Sequence, residues 1–508
     1  MPDQLENLDT FSLDPDAAAA VQRMNLLAWE LTQREHTISK RLDYYRGKHK
    51  LAYASPEFAD YMGDRYSEFS DNWCAPVVNS PAERINPLGV RLDPSERSVD
   101  ADLNRVWRAN GADRGFSEAV VVTLAASRAF ATVWGDPDDE DTPTVEFERP
   151  DQAIVTYDDM GRRKDGLKLW RDDLYEYATY HTRGKLWKFA RLATMRDGRL
   201  RSGLVMPSTA VGGWQARIPD SDDTWPIDNP MGELALVELS NHSLLDRDNP
   251  LSDIDGVIAM QDAINLVWAY LLNALDYASL PQRIVTGSDV PQVPVLDDNG
   301  QVIGRRPVEL DELLRDRILW VPNKDASAHE WTAADLESFS KVIERALEHI
   351  AAQTRTPPHY LIGKVQNVSA EALTAAETGL VSKTGERIVY LTPGVKTIYR
   401  LIALAKGDTD KADAVRDGTL RWADTQFRAL GQKVDALHKL RDIGFPFRWL
   451  AEQYGLTQPE IDYVMRLRQQ ERDDELAGDP LVERMLRDLG RPGAQPGQPA
   501  EPAPAPAG

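Results

Sequence analysis

At 508 residues and 56.9 kDa the chain exceeds one ordinary core, so several domains, or one domain elaborated by insertions, are expected. Hydrophobic residues at 42% and charged residues at 28% exclude a fibrous or disordered bulk. Asp and Glu number 81 against 59 Lys and Arg, and the net charge of -22 repels polyanions, which argues against a free-standing, sequence-specific DNA binder.

The opening MPDQLENLDTFSLDPD lacks the basic and then apolar segments of a secretory signal, so synthesis and assembly in a cytosol are expected. The single cysteine, Cys74, excludes an intrachain disulfide framework and a multi-cysteine zinc site. Asp14 with Pro15 reads as a helix start, and Leu26, Leu27, Leu31, Ile38 and Leu42 follow at helical spacing. Ser80, Pro81 and Glu83 read as a capping box opening a second helix. Helix continues from Ala101 to Arg128 with a break at Asn110 and Gly111.

From Ala129 the period changes to that of strands. Phe130 to Trp134, Thr144 to Pro150, Gln152 to Tyr157, Gly166 to Trp170, Leu174 to Thr182, Lys185 to Leu192 and Glu233 to Leu239 are rich in β-branched and aromatic residues. Short turn signals between the earlier runs predict an antiparallel sheet, and the lack of strand and long-helix alternation disfavours a Rossmann-type parallel sheet.

Ser252 and Asp255 form another capping box, opening a long apolar helix to Ala278 that Pro281 ends. Gln261, Asp262, Asn265, Asn273 and Asp276 interrupt it, so no membrane span is expected. Leu280 to Asn323 reads as an insertion with a turn at Asn299 and Gly300, a short helix from Leu310 to Leu314 and a strand at Ile318 to Val321. Thr332 and Asp335 open a second long helix, stopped by Pro357 and Pro358. A loop to Val368 precedes one helix from Ser369 and another from Glu386 to Lys406, kinked at Pro393 and Gly394. Charged helix follows from Lys411 to Gln470, with a last capping box at Thr457 and Glu460, and the Pro-rich tail from Arg491 to Gly508 is too poor in apolar bulk to fold.

The usual catalytic signatures are missing. No two of the eight histidines stand i, i+4, so a helical zinc pair is not expected. GLVSKT from Gly379 lacks the glycines of a phosphate loop, with Ser382 in the place of the one before Lys383, and no Gly-x-Ser-x-Gly elbow exists. The acidic run Asp136 to Asp141, with Asp139 and Glu140, reads as a solvated turn, the alternative being the carboxylate pair of a hydrolase. Cys74 has no activating base in view.

Two long helices around an insertion, followed by TPPHYLIGKVQNVSAEAL, resemble the portal proteins of tailed bacteriophages of the SPP1-type portal family. YYRGKHKL (Tyr44 to Leu51), the run from Asn249 to Gly287 and IYRLIALAKGD (Ile398 to Asp408) extend the resemblance over most of the chain. It implies an α+β, mainly helical portal fold. Residues 1–251 would be a wing, 252–278 a stem helix, 279–331 an α/β clip insertion, 332–355 a second stem helix and 356–368 a tunnel loop. Residues 369–407 would be wing helices, 408–478 a helical crown and 479–508 a C-terminal segment with a disordered tail.

The resemblance also implies a non-enzymatic, dodecameric ring at the capsid vertex, without cofactor, metal or membrane. Its partners would be the terminase large subunit, a head-completion or adaptor protein, the major capsid and scaffolding proteins, and double-stranded DNA passing without sequence specificity. In the tunnel loop His359, Lys364, Gln366 and Asn367 are the expected channel residues, with Pro358 and Gly363 as hinges. Pairing of Lys364 with a neighbouring subunit's acid stays open beside phosphate contact. Another virion structural protein, such as a minor capsid or adaptor component, is the alternative reading. Asp253, Asp262, Asp276, Glu337, Glu344 and Glu348, with Lys341 and Arg345, are the expected charges of the stem helices.

Overall fold

The computed structural model describes residues 4–7, 14–49, 51–53, 55, 56, 58, 60, 69–93, 98–193, 195–196, 199–200, 213–218, 224–279, 283–287, 292–296, 301–307, 318–321, 336–362, 370–426, 430–456 and 458–477. Outside them lie the Thr332–Asp335 box, Thr457, the turn at Asn299 and Gly300, the helix at Leu310 to Leu314, Ser369 and the Pro-rich tail. Two compact units result, residues 1–93 with 100–425, and 94–99 with 426–508.

The helices are α1 (Pro15–Arg46), α2 (Cys74–Ala82), α3 (Ala101–Ala109), α4 (Ala112–Ala126), α5 (Ile258–Ser279), α6 (Leu336–Thr354), α7 (Pro358–Ile362), α8 (Ala370–Ala405), α9 (Thr409–Asp417), α10 (Leu430–Asp442), α11 (Phe447–Tyr454) and α12 (Gln458–Ala477). The strands are β1 (Gln4–Asn7), β2 (Pro87–Arg91), β3 (Arg128–Trp134), β4 (Thr144–Glu148), β5 (Ala153–Tyr157), β6 (Arg163–Arg171), β7 (Tyr175–His181), β8 (Lys185–Leu192), β9 (Met195–Arg196), β10 (Arg199–Leu200), β11 (Gln215–Ile218), β12 (Ile227–Asp228), β13 (Leu236–Ser240), β14 (Arg283–Thr286), β15 (Gln292–Leu296), β16 (Val302–Pro307), β17 (Ile318–Val321) and β18 (Thr419–Trp422). The fold is α+β and mainly helical, as expected from the sequence.

The largest sheet runs β1-β11-β8-β7-β6-β5, with β12 beside β8, and a smaller one runs β13-β3-β4. Every pairing in both is antiparallel. One face of the large sheet buries Leu167, Ala178, Trp187 and Phe189 against Met24, Leu27 and Leu31 of α1. Each leucine, methionine or phenylalanine among them contributes about 1.5–3 kcal/mol by leaving water. Arg23 Nε donates to Asp165 Oδ2 at 2.7 Å, fixing α1 on that sheet. The other face meets the small sheet through Phe130, Val155, Leu234 and Leu236. The main core lies beyond the small sheet, where α8 buries Leu391, Val395, Ile398 and Ile402 among α2, α4, β3 and β13. Trp107 stacks on Tyr399 there with ring centroids 5.1 Å apart.

Residues Ala376–Ala405 are long and apolar enough to cross a membrane by composition alone. Leu380, Leu391, Val395, Ile398, Leu401 and Ile402 of that segment are buried in the core. The polar residues that interrupt α5 have structural partners. Gln261 accepts from Trp73 N at 2.7 Å and donates to Asp71 O at 2.6 Å, and Asn265 Oδ1 accepts from Asp71 N at 3.1 Å. Tyr44 donates to Asp262 Oδ1 at 2.8 Å, and Trp268 Nε1 to Asp71 Oδ2 at 2.7 Å. Together they latch α5 to α1 and to the segment preceding α2.

Several local expectations need correction. Ser80, Pro81 and Glu83 close α2 instead of opening a helix. Asn72 Oδ1 already accepts from Cys74 N at 3.0 Å, so the helix nucleates upstream, and Ser80 Oγ donates to Pro76 O at 2.6 Å. Half of the Ser252 box is present, Ser252 N donating to Asp255 Oδ2 at 3.0 Å, but α5 begins only at Ile258 after a turn. The helices expected from Ser369 and from Glu386 are one helix, α8, which runs through Pro393. Glycines inside a helix with a buried face weaken it without stopping it. Finally, β18 interrupts the charged helical region and pairs with β2, so residues 409–425 fold within the first unit.

In the second unit α11 and α12 bury Leu450, Ala451 and Ile461, Arg468 lies 3.9 Å from the Phe447 ring centroid, and Arg448 pairs with Asp462 at 3.2 Å.

Candidate functional site

The long helix α6 buries one stripe, Ile343, Leu347, Ile350, Ala351 and Thr354, and packs against α5. Its exposed side carries Glu337, Lys341, Glu344, Arg345 and Glu348, with Lys341 3.0 Å from Glu337 and Arg345 3.2 Å from Glu348. Between the two helices lie the parallel pair β14 and β17 and the hairpin β15–β16. The expected stem acids divide: Glu337, Glu344 and Glu348 face outward, whereas the side chain of Asp253 and all of Asp262 are buried and engaged. The side chain of Asp276 lies outside the described residues.

The end of α6 is built as a cap. Arg355 adopts φ 55 in the left-handed region and Thr356 N donates back to Ala351 O at 3.1 Å. Thr354 Oγ1 donates to Ile350 O at 2.7 Å. Pro357 and Pro358 stop α6, and Pro358, needing no N–H at a first helical position, opens α7. Pro358 is exposed and His359 half-buried. Gly363, Lys364, Gln366 and Asn367 lie outside the described residues.

The two flanks of that segment, α7 and α8, meet at one side chain that the sequence did not single out. Arg84, buried after α2, donates through Nη2 to Tyr360 OH at 2.7 Å and stands 3.6 Å from Glu377 Oε2 on α8. Its Nη1 donates to Thr425 O at 3.0 Å, and the guanidinium lies 5.8 Å from the Tyr360 ring centroid. His359 Nε2 is 3.9 Å from Glu377 Oε1, within ion-pair reach when the ring is protonated. No local pattern marks Arg84, because its partners come from α7 and α8, remote in sequence.

A second cluster fixes the approach to α5. Asp253 Oδ2 is 3.0 Å from Lys383 Nζ, its Oδ1 accepts from Arg387 Nε at 3.0 Å and from Asn241 Nδ2 at 3.0 Å, and its N–H donates to Leu124 O at 2.9 Å. Burial pushes the Asp253 carboxyl up, but Lys383 and Arg387 outweigh burial and hold it below the usual range. Burial in turn lowers the Lys383 ammonium against the pull of Asp253. The spacing of Lys383 and Arg387, one turn apart on an apolar helix, was the available signal that a buried acid must face them.

GLVSKT sits inside α8 with Thr384 Oγ1 donating to Leu380 O at 2.8 Å, so it is no phosphate-binding loop. Asp139 and Glu140 are exposed, and Asp136 and Asp139 accept from the backbone of Asp138 and Asp141 at 2.9 and 3.1 Å. That arrangement is a capped turn, not an acid and base facing a cleft. Burial pushes the Cys74 thiol up to about 12, which makes it unreactive. Among the described residues no group of three or more His, Cys, Asp or Glu could hold a metal ion.

The family model "Phage portal protein, SPP1 Gp6-like" matches residues 29–455. The chain belongs to that phage portal family. A portal protein of Mycobacterium phage L5 is 25% identical over 386 residues, 72% of this chain and 70% of the relative. The portal protein of Mycobacterium phage D29 is 26% identical over 380 residues, with the same coverage of 72% and 70%. Among solved structures, the neck of an empty gene transfer agent particle computed with C6 symmetry aligns at 13% identity and TM-score 0.41, covering 81% of this chain and 96% of that one. The neck of the native particle computed with C12 symmetry aligns at 13% identity and TM-score 0.38, covering 81% and 97%. The role of the chain is that of a virion portal protein.

Proposed function

We infer that twelve copies of this chain close into a ring at one capsid vertex, assembled in the host cytoplasm with major capsid and scaffolding proteins. The ring is the conduit through which double-stranded DNA is packaged and ejected. The terminase large subunit docks on it and supplies the energy, and a head-completion or adaptor protein replaces the terminase afterwards. The observation that carries this reading is the family match across residues 29–455.

On the same reading, residues 1–251 and 369–407 form the wing, α5 and α6 the stem, β14 to β17 lie in the clip, and the helices from 430 to 477 belong to the crown. The paired charges along the outer side of α6 suit a wall that meets water, and the net charge of -22 opposes adhesion of phosphates to it. Lys364, Gln366 and Asn367 offer donors to passing phosphates, His359 stands at the base of their loop, and Pro358 and Gly363 act as its hinges. Arg84 ties α7 to α8, the two flanks of that segment.

Negative-stain imaging of the purified full chain tests the reading. Rings with a central hole and radial wings are expected, and compact particles without a hole at assembly concentrations sink it. ATP hydrolysis by the purified chain alone would overturn the assignment of the motor to the terminase.

A further inference from the structure

Among the described residues of the second unit the only buried apolar side chains are Leu450, Ala451 and Ile461. α11 packs against both α10 and α12, yet Val434 of α10 is 49% exposed, and Ile443 and Phe445, in the corner between α10 and α11, are 72% and 39% exposed. That corner is built as a helix cap. Gly444 takes the left-handed φ 97, its N–H donates to Arg441 O at 2.9 Å, and Phe445 N donates to Leu440 O at 3.1 Å. Phe445 also lies against Trp449, with ring centroids 4.9 Å apart. Helices that bury so little need a further apolar partner to hold together.

The sequence beyond α12 supplies one. α12 ends at Ala477, and residues 478–508 lie outside the described residues. Gly478 follows the last helical residue, Asp479 and Pro480 read as an N-cap and a first helical position, and Gly490 with Pro492 reads as a stop. Between these signals Leu481, Val482, Met485, Leu486 and Leu489 recur on one helical stripe, with Glu483, Arg484, Arg487 and Asp488 on the other side. A connection as short as Gly478 and Asp479 returns the second helix antiparallel to the first.

The lengths match. Arg468 covers the ring of Phe447, two residues past the exposed corner, and so marks the level of that corner on α12. From Arg468 to Ala477 α12 runs about 14 Å, and residues 480–489 as a helix span about 15 Å. The return path therefore ends with Leu486 and Leu489 at the level of Ile443 and Phe445. It also sets Arg484 and Arg487 alongside the run Glu471 to Glu475, which holds four acids and one arginine, so the charges are complementary.

We propose that residues 480–489 form a helix that folds back along the C-terminal half of α12 and seats Leu486 and Leu489 on the corner of Ile443 and Phe445, completing the core of the second unit within one chain. The short tether gives the segment a high effective concentration at its own corner, ahead of a neighbouring copy. The inference rests on the second unit alone and does not depend on ring closure.

A cysteine pair in the full chain tests it, since the natural Cys74 is buried and unreactive. Ile443→Cys with Leu489→Cys is expected to give, on mild oxidation, a disulfide-linked peptide within one chain, formed roughly tenfold faster than in Ile443→Cys with Ala500→Cys. Covalent dimers or longer ladders would assign the corner to another copy and overturn the proposal, as would equal rates in the two pairs. Leu486→Asp with Leu489→Asp is expected to speed amide hydrogen exchange in α10 and α12 roughly tenfold while exchange in the first unit, which reports that the chain has folded, stays unchanged. Unaltered exchange in α10 and α12 of that folded variant also overturns the proposal.

Discussion

A carboxylate buried between a lysine and an arginine is stable only as a set, and Asp253, Lys383 and Arg387 form such a set. Asp253→Ala removes the carboxylate beside Lys383 and leaves Arg387 only Glu386 at 3.7 Å, and is expected to cost about 3–5 kcal/mol, read by urea unfolding. Adding Lys383→Met should recover part of that loss, and additive costs in the double-mutant cycle would show that the pair is not coupled. The pH dependence follows from the direction of each shift. The folded-state carboxyl of Asp253 lies below its usual value, so its contribution is complete above the unfolded pKa and lost as pH falls through the folded one. Lys383 is lowered, so the folded chain holds that proton less tightly than the unfolded chain and stability grows as pH rises toward the lysine range. Loss on the acid side below about pH 4 is therefore expected, and Asp253→Asn should flatten it.

Elements end and cross where single backbone positions permit. The cap of α6 places Arg355, a residue with a Cβ, where glycine is favoured. Arg355→Gly relieves roughly 1 kcal/mol of left-handed strain and gives up a half-exposed pair with Glu386 worth at most about 0.5 kcal/mol. A small rise in melting temperature is the expected result. Where α8 crosses β13, a Cβ on Gly394 would stand 2.6 Å from Leu239 Cδ2 and 3.0 Å from Glu238 O. Gly394→Val should cost about 1–3 kcal/mol by overpacking, measured by chemical denaturation.

The long periodic elements were legible in the sequence, because α1, α4, α5, α6 and strands β3 to β8 bury whole faces and so repeat every 3.6 or 2 residues. The pair β2–β18 and the start of α2 were not, since four strand residues and one asparagine side chain leave no period to detect. At the candidate site, the sequence names Pro358 and His359 only through the family resemblance, and their roles belong to the proposed function. Arg84 was missed because its function is defined by partners on α7 and α8 that only the tertiary fold brings together.

Across the whole molecule, two properties make separate predictions. The net charge of -22 predicts that the purified chain leaves the mobility of linear duplex DNA unchanged in a gel at about 0.15 M salt, where screening sets in within about 8 Å. Saturable retention that weakens with salt would contradict an acid-repelling conduit. Among the described residues the second unit buries few large apolar residues compared with the first, so pulse proteolysis in urea should cut within residues 426–477 at lower denaturant than within the first unit.

At 36 residues and 1.5 Å per residue, α8 is a strut about 54 Å long. It carries Glu377 at the loop flank, Lys383 and Arg387 at the approach to α5, and Gly394 on β13. Further along, Lys396 donates to Gly418 O at 2.9 Å, beside β18, and Arg400 to Glu233 at 2.9 Å. A beam pinned at so many stations does not absorb a load where it is applied. Its stiffness couples the Glu377 end to β13 and to the neighbourhood of β18, and Pro393, which removes one hydrogen bond from the beam, is its point of compliance.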